Sequence, residues 1–307
     1  MTIAMEGETD KTKAILKKVR QIEIRTKRKL NSGLSGAYHS IFKGQGIDFE
    51  EIREYLPGDD PRAINWNVSA KMHKPFIKKY REDRELTVML VVDMSLSNSF
   101  GSKDKSKQEL AAELSSLLAF TADSNQDKVG LLLFTDQLEL YLPPRRGRQH
   151  ILRVIREILF FKPKGNTTHI PHAIEQTTRL LKQQALVFLI SDFLFNTHSP
   201  GLNALKKALS LAHKKQEWLP IIVADAREHT LPSAGIMLLE DAETKRILEV
   251  NTSCPNIQAA YKQLKQDEQK SLKKTFTLCG TDYLEIYTHN NYEVLLTQFF
   301  KSRVAKS

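Results

Sequence analysis

Two apolar runs, each leading to an aspartate, constrain the fold of this chain most strongly. T-V-M-L-V-V directly precedes Asp93, and A-L-V-F-L-I-S precedes Asp192. Continuous apolar runs of this length are typical of strands that are buried on both faces, as in a parallel sheet covered by helices. The carboxyl ends of parallel strands meet at one edge, and ligands bind there near a switch point. The sequence therefore predicts an α/β fold in which both aspartates lie at one sheet edge.

The remaining periodicity supports alternating strands and helices. Apolar residues at helical spacing predict helices, and short apolar or alternating runs predict strands between them. We therefore expect a doubly wound, mostly parallel sheet flanked by helices. The predicted helices cover 105–123, 149–161, 171–184, 206–215, 257–274 and 292–304, and the predicted strands lie near 129, 138 and 221 and at 236–239 and 283–287.

Hydroxyl and carboxyl groups cluster around the first strand end. Asp93, Ser95 and Ser97 alternate along the chain, so in an extended loop they share one face. Thr168 and Asp192 supply further oxygen atoms from later segments. A set of oxygen donors with few charges suits a hard divalent cation such as Mg²⁺ or Mn²⁺. The alternative is that Asp93 only ends a strand and the serines cap the next segment.

The same residues carry a resemblance to a known site. The order D-x-S-x-S, then T in T-H-I-P-H-A-I, then D resembles the metal-ion-dependent adhesion site of von Willebrand factor A-type domains. The resemblance implies that the serines and the threonine bind the cation directly or through water, that an acidic side chain of a partner completes the shell, and that the activity is binding. The implied metal ligands are Asp93, Ser95, Ser97, Thr168 and Asp192. Thr167 remains an alternative to its neighbour.

A second resemblance covers the segment before the first strand end. G-Q-G-I-D-F-E-E-I-R-E-Y-L-P-G-D-D-P-R-A-I-N-W-N-V-S-A-K, residues 44–71, is similar to the signature of the bacterial family of domain of unknown function 58. Asn65 and Lys71 depart from it, because the family usually has Asp and Arg there. The resemblance implies an accessory of a MoxR-type AAA+ ATPase in the assembly or activation of other proteins. It divides the chain into an N-terminal helix and signature region, 1–84, and a von Willebrand factor A-like domain, 85–307.

The signature region contains charged residues within predicted tight turns. Pro, Gly and Asp between 55 and 62 favour consecutive turns, and Pro61 favours an extended Asp60. The charged residues Arg53, Asp59, Asp60 and Arg62 either pair with one another and brace a loop against Trp66, or form a recognition surface. The sequence leaves both readings open.

Two other function classes compete with a binding module. An aspartate-dependent phosphohydrolase would use Asp93 as the nucleophile, but Ser95 stands where such chemistry needs a second carboxylate. His169 and His172, beside the threonine, are the nearby acid or base candidates. The sequence therefore favours a protein that is not an enzyme.

Nucleic-acid binding is the third class, and composition bears on it. The net charge is +10, and a basic amphipathic helix is predicted at 11–29. No aromatic interleaving or zinc pattern accompanies this charge, so we expect no specific nucleic-acid partner. No apolar run is long enough to span a membrane, and the first residues lack the apolar core of a signal peptide. With two cysteines at unrelated positions, the expected location is the cytoplasm.

Overall fold

The computed structural model describes Tyr38 and residues 48–81, 86–99, 106–194, 199–240 and 247–304. These residues divide into two compact units, one within 42–86 and the other comprising Tyr38 and the residues from 87 onward. The basic helix predicted at 11–29 lies outside the described residues. Within those residues, no helix is both long enough and apolar enough to cross a membrane.

The smaller unit is a strand pair with a short helix between its strands. Strand β1 (Asp48–Glu54) pairs antiparallel with β2 (Phe76–Arg81), and helix α1 (Trp66–Met72) connects them after a 3₁₀ turn at Pro61–Ala63. Asp60 is extended before Pro61, with φ −68° and ψ 117°, as the sequence predicted. The amide of Phe76 donates to Ser69 Oγ at 2.8 Å, which ties α1 to β2.

The larger unit is built on one six-stranded sheet. The six strands of this sheet, in chain order, are β3 (Thr87–Asp93), β4 (Lys128–Phe134), β5 (Leu138–Arg145), β6 (Leu186–Ser191), β7 (Glu217–Ala224) and β10 (Leu284–Tyr287). Strands β8 (Ile236–Glu240) and β9 (Ile247–Asn251) lie between β7 and β10 in the chain. The order across the main sheet is β10-β7-β6-β3-β4-β5, and every neighbouring pair is parallel except β4–β5.

The strand order places a switch point at β3. The chain moves outward from β3 to β4 and β5 and then returns to β6, on the other side of β3. Crevices at such a reversal, beyond the carboxyl ends of the strands, are where ligands bind in open α/β sheets. The predicted fold class, a doubly wound and mostly parallel sheet flanked by helices, is confirmed.

Six helices of the described chain belong to the larger unit. They are α2 (Lys107–Ser124), α3 (Arg148–Phe160), α4 (Ile170–Leu180), α5 (Ser199–Ala212), α6 (Pro255–Leu278) and α7 (Tyr292–Val304). Helix α4 ends four residues before the predicted limit of 184. The Gln216 side chain explains this early end, because it accepts from Ala185 N at 2.6 Å and donates to Gln183 O at 3.1 Å.

The prediction that the strand at 236–239 continues the main sheet is wrong. Strand β8 pairs antiparallel with β9 in a separate two-stranded sheet. Ile236 and Leu238 are 67% and 70% exposed, whereas every residue of β6 is buried. A strand with one open face is compatible with an antiparallel hairpin, but central parallel strands are covered on both faces.

Candidate metal centre

Asp93, the last residue of β3, is buried and firmly oriented. Ser191 Oγ donates to its Oδ2 at 2.6 Å, and the amide of Ser95 donates to its Oδ1 at 2.9 Å. Burial, followed by the nearby Asp192 carboxylate, raises the pKa of Asp93 to about 7, although the hydrogen bonds oppose the shift. A carboxyl group with this pKa is only partly ionised at neutral pH, and a bound cation would favour its ionised form.

Ser95 and Ser97 bring two hydroxyl groups together beside this carboxyl group. Their Oγ atoms are 3.0 Å apart, and Ser95 is buried. The prediction of an extended loop through Ser97 is wrong, because Leu96–Ser99 forms a 3₁₀ turn. The tighter turn still places the two hydroxyls next to each other, so the donor pair exists by a different backbone path.

Thr168 lies on the loop between α3 and α4, which touches the serine turn. The amide of Leu96 donates to Asn166 O at 3.3 Å, and the amide of His169 donates to Thr135 O, at the end of β4, at 3.1 Å. Within the described part of the chain, the buried Thr168 Oγ1 has no hydrogen-bond partner. Thr167 is exposed. A buried hydroxyl without a hydrogen-bond partner destabilises the fold, so a ligand that contacts Thr168 Oγ1 would explain why a threonine stands here.

Glu139 holds this loop through several hydrogen bonds, a role that no sequence pattern indicated. Its Oε1 accepts from Gly165 N at 2.7 Å, Lys164 N at 3.0 Å and Thr135 Oγ1 at 2.9 Å. Burial alone raises the pKa of Glu139, but these hydrogen bonds outweigh it and the pKa is lowered. Gly165 is needed for close approach, because a Cβ there would collide with the side chains of Thr135 and Asp136.

Asp192 follows β6 and is held on both oxygens. The amide of Leu194 donates to Oδ1 at 3.1 Å, and Lys107 Nζ donates to Oδ2 at 2.6 Å. The next residue, Phe193, has a left-handed φ of 53°, which is unusual for an aromatic residue. Phe193 is buried, with its ring 5.4 Å from that of Phe276, so core packing holds the strained turn in place.

Lys107 is the important residue that the sequence reading missed. Its side chain is fully buried at the start of α2 and also donates to Glu228 Oε1 at 2.5 Å. Burial lowers the pKa of Lys107, but Asp192 and Glu228 outweigh burial, so the pKa is raised. A signal was present: Lys107 is in helical register with the apolar Leu110, Ala111 and Leu114, where a lysine is unusual.

Asp93, Ser95, Ser97 and Asp192 lie at or just after the carboxyl ends of β3 and β6, and the loop that carries Thr168 contacts the serine turn. Two carboxyl groups and three hydroxyls are available, and oxygen donors are what Mg²⁺ and Mn²⁺ prefer. Within the residues described, no group of three or more His, Cys, Asp and Glu side chains could hold a metal. Any cation here would depend on the hydroxyls, and the unpartnered Thr168 Oγ1 fits that requirement. Behind Asp192, the ammonium of Lys107 is shared between two carboxylates, those of Asp192 and Glu228.

His169, an acid or base candidate from the sequence, forms the N-cap of helix α4. It precedes α4, and its Nδ1 accepts from His172 N at 3.1 Å. The two rings lie 6.0 Å apart in an edge-on arrangement. This is a helix cap, which explains a histidine at this position without catalysis.

The charged residues of the smaller unit are brought together by the predicted turns. Arg53 donates from two nitrogens to the two oxygens of Asp59, at 2.9 and 2.8 Å, and lowers the pKa of that carboxyl. Asp60 accepts from Arg62 N at 2.9 Å. The Trp66 side chain is 71% exposed, so these charged residues do not hold the loop against a buried tryptophan.

Fold and site together define an α/β domain with an oxygen-rich polar cluster at the switch point of its sheet. Residues 51–271 match the family described as "Protein of unknown function DUF58", and because the match covers more than half of the chain, the chain belongs to this family. The resemblance to this family inferred from residues 44–71 is confirmed.

The chain is also similar to curated relatives and to solved structures. The uncharacterized protein Rv1480 of Mycobacterium tuberculosis (strain ATCC 25618 / H37Rv) is 29% identical over 97% of this chain and 92% of its own length. The solved structure of BatB from Bacteroides thetaiotaomicron is similar over 72% of this chain and all of that one, with 21% identity and a TM-score of 0.46. A von Willebrand factor type A structure from Catenulispora acidiphila is similar over 75% of this chain and 44% of its own, with 12% identity and a TM-score of 0.42.

Proposed function

We propose that this chain is a non-catalytic protein-binding module whose affinity depends on a divalent cation, Mg²⁺ or Mn²⁺. The cation would bind at the carboxyl edge of the sheet, held by Asp93, Ser95, Ser97, Thr168 and Asp192, some of them through water. It would supply positive charge for recognition, and an Asp or Glu side chain of the partner would replace one of its waters. Binding would then be lost when the cation is removed.

One observation carries this proposal: the buried Thr168 Oγ1 has no partner within the described residues. It lies on a loop that contacts the serine turn, and that turn follows Asp93 directly. If these residues had only a structural role, an apolar residue at position 168 would give a more stable fold, because an unpaired buried hydroxyl costs about 1–3 kcal/mol. A cation or its bound water would satisfy this oxygen.

A binding role agrees better with the site than turnover does. The position two residues after Asp93 holds Ser95, whose hydroxyl lies 3.0 Å from that of Ser97. A neutral hydroxyl is a poor general acid at neutral pH, so an Asp93 nucleophile would have no proton donor there. Among the described side chains, Lys107 is the cation that contacts a candidate ligand. Its ammonium is already paired with Asp192 and Glu228, so it is not a ready proton donor either.

The decisive experiment compares two adjacent threonines. Thr168→Val removes the unpartnered hydroxyl and keeps the branched shape, while Thr167→Val changes the exposed neighbour in the same way. Isothermal titration with MgCl₂ and MnCl₂ should show saturable binding to the wild type and to Thr167→Val. Thr168→Val should bind about tenfold more weakly, as expected for one lost ligand to a charged group. Equal affinities in all three proteins would contradict the proposed site.

Folding of the variants can be checked independently of the metal. Without divalent cations, Thr168→Val should unfold at the same temperature as the wild type or slightly higher, because its hydroxyl contributes no described hydrogen bond. Asp93→Asn serves as the second variant, since an amide oxygen can still accept from Ser95 N. A large loss of stability in metal-free Thr168→Val would mean that this hydroxyl is structural.

We further propose that the partner is a MoxR-type AAA+ ATPase and that the two act together in the cytoplasm. The support is the family signature at 44–71 and the presence of two free cysteines, Cys254 and Cys279, as is usual in a reducing compartment. Immobilised chain should capture the purified ATPase, without nucleotide, in MgCl₂ and release it in EDTA. Capture that persists in EDTA, or that Asp93→Asn leaves unchanged, would contradict the metal-dependent mechanism.

A further inference from the structure

A cavity whose walls carry several nitrogen-bearing side chains lies beside the last strands of the main sheet, apart from the candidate metal ligands. Its volume is about 420 Å³. Its walls come from the segment after β7, from one face of α6 and from the segment after β10. The lining residues are Ala226, His229, Thr230, Lys262, Gln266, Gln269, Tyr287, His289 and Asn290. Strands β7 and β10 are parallel, so the cavity opens at the carboxyl edge where α/β sheets bind ligands.

The chemistry of the walls favours an anion. Lys262 provides an ammonium group, and His229, His289, Gln266 and Asn290 provide further nitrogen donors. Among the described lining residues, none carries a carboxylate. Glu285 lies nearby, but its oxygens are engaged by Gln269, by the Tyr287 hydroxyl at 3.1 Å and by Lys273 at 2.8 Å.

One wall atom lacks a partner. His229 Nε2 is buried, and the described residues offer it no hydrogen bond. The His229 ring is held in place because its centroid lies 5.7 Å from that of Tyr287, which in turn lies 5.7 Å from that of His289. His229 therefore contributes a fixed ring to the wall, while its Nε2 has no surface exposed to the cavity.

From these observations we propose that the cavity binds a small organic phosphate. A phosphate offers three strong acceptor oxygens, which matches several converging donors better than the two oxygens of a carboxylate do. A volume of about 420 Å³ falls in the range of small-molecule sites and leaves room for the organic part beside the phosphate. Lys262 is the residue that recognises the phosphate.

The test uses the full chain in EDTA, so that no divalent metal can bridge a phosphate to the metal centre. The probes are inorganic phosphate, AMP and adenosine, and binding is followed by isothermal titration. Phosphate and AMP should bind saturably, AMP more tightly, and adenosine should not bind. The proposal fails if neither phosphate nor AMP saturates at millimolar concentrations, or if adenosine binds as well as AMP.

Matched lysine variants separate a built site from the general attraction of a basic protein for anions. Lys262→Gln and Lys274→Gln remove the same charge from exposed positions on α6, but only Lys262 lines the cavity. Lys262→Gln should weaken AMP binding about tenfold, as expected for one charge-assisted hydrogen bond, and Lys274→Gln less than twofold. Equal losses in the two lysine variants would overturn the proposal.

Discussion

Lys107→Met tests the buried ion cluster behind the metal centre. The substitution keeps the long unbranched side chain but removes the ammonium that contacts Asp192 at 2.6 Å and Glu228 at 2.5 Å. The side chains of Lys107 and Asp192 are 0% and 1% exposed, so water cannot replace the lost partner. Removing one member of a buried ion pair costs about 3–5 kcal/mol, and for a domain of this size we expect the melting temperature to fall by roughly 6–20 °C.

The assay is thermal unfolding followed by circular dichroism, with and without MgCl₂. With the ammonium gone, the edge of the sheet becomes more negative, so Mg²⁺ should stabilise Lys107→Met more than it stabilises the wild type. Lys214→Met, at an exposed position after α5, is the matched control and should change stability by less than about 0.5 kcal/mol.

A double variant measures whether the three charges act as one unit. Adding Glu228→Gln to Lys107→Met removes one of the two stranded carboxylates, so the combined loss should be smaller than the sum of the single losses, by about 0.5–3 kcal/mol. A loss in Lys107→Met as small as that of Lys214→Met would refute the reasoning. So would equal stabilisation of both proteins by Mg²⁺.

Three further predictions follow from the site and the smaller unit. In the metal-free protein the pKa of Asp93 is about 7 in the folded state, which is higher than in the unfolded state. The stability that this residue contributes is therefore lost as the pH rises from about 4 to about 7. In urea titrations across this range, the free energy of unfolding should fall more steeply for the wild type than for Asp93→Asn. Mg²⁺ competes with the same proton, so its affinity should fall as pH is lowered below about 7. Gly165→Ala should lower the free energy of unfolding in urea by about 1–3 kcal/mol and weaken Mg²⁺ binding, because the added methyl group would displace Thr135 and the loop. An unchanged affinity for Mg²⁺ would show that this loop does not contribute to the metal site. Arg53→Lys should lose the two-point contact with Asp59 and increase amide hydrogen exchange within 55–62, whereas retained protection would show that the backbone alone fixes this turn.

The candidate metal centre and the cavity share one structural element. The turn at Ala226–His229 contributes Glu228 to the Lys107 cluster and His229 to the cavity wall. Tyr261 of α6 donates to Glu228 O at 2.9 Å, which fixes the turn from the other side. Both sites therefore depend on the position of these four residues.

Local patterns determined the frame of this protein. The apolar runs before Asp93 and Asp192 became β3 and β6, adjacent and parallel, because a continuous apolar run is stable only when covered on both faces. Placing both aspartates at one edge follows directly, since parallel strands end on the same side. The helix from 292 to 304 was predicted with its correct limits, because its boundary signals lie within the helix and its immediate flanks.

Tertiary structure decided what these groups contact. Lys107 meets Asp192 and Glu228 across 85 and 121 residues of chain, and Glu139 clamps Gly165 across 26, so no local window contains both partners of any of these contacts. The strand at 236–239 looked like its neighbours in sequence, yet it pairs outside the main sheet. Periodicity reports how one segment divides its faces between core and solvent, whereas a buried charge acquires its partner only when distant segments pack together.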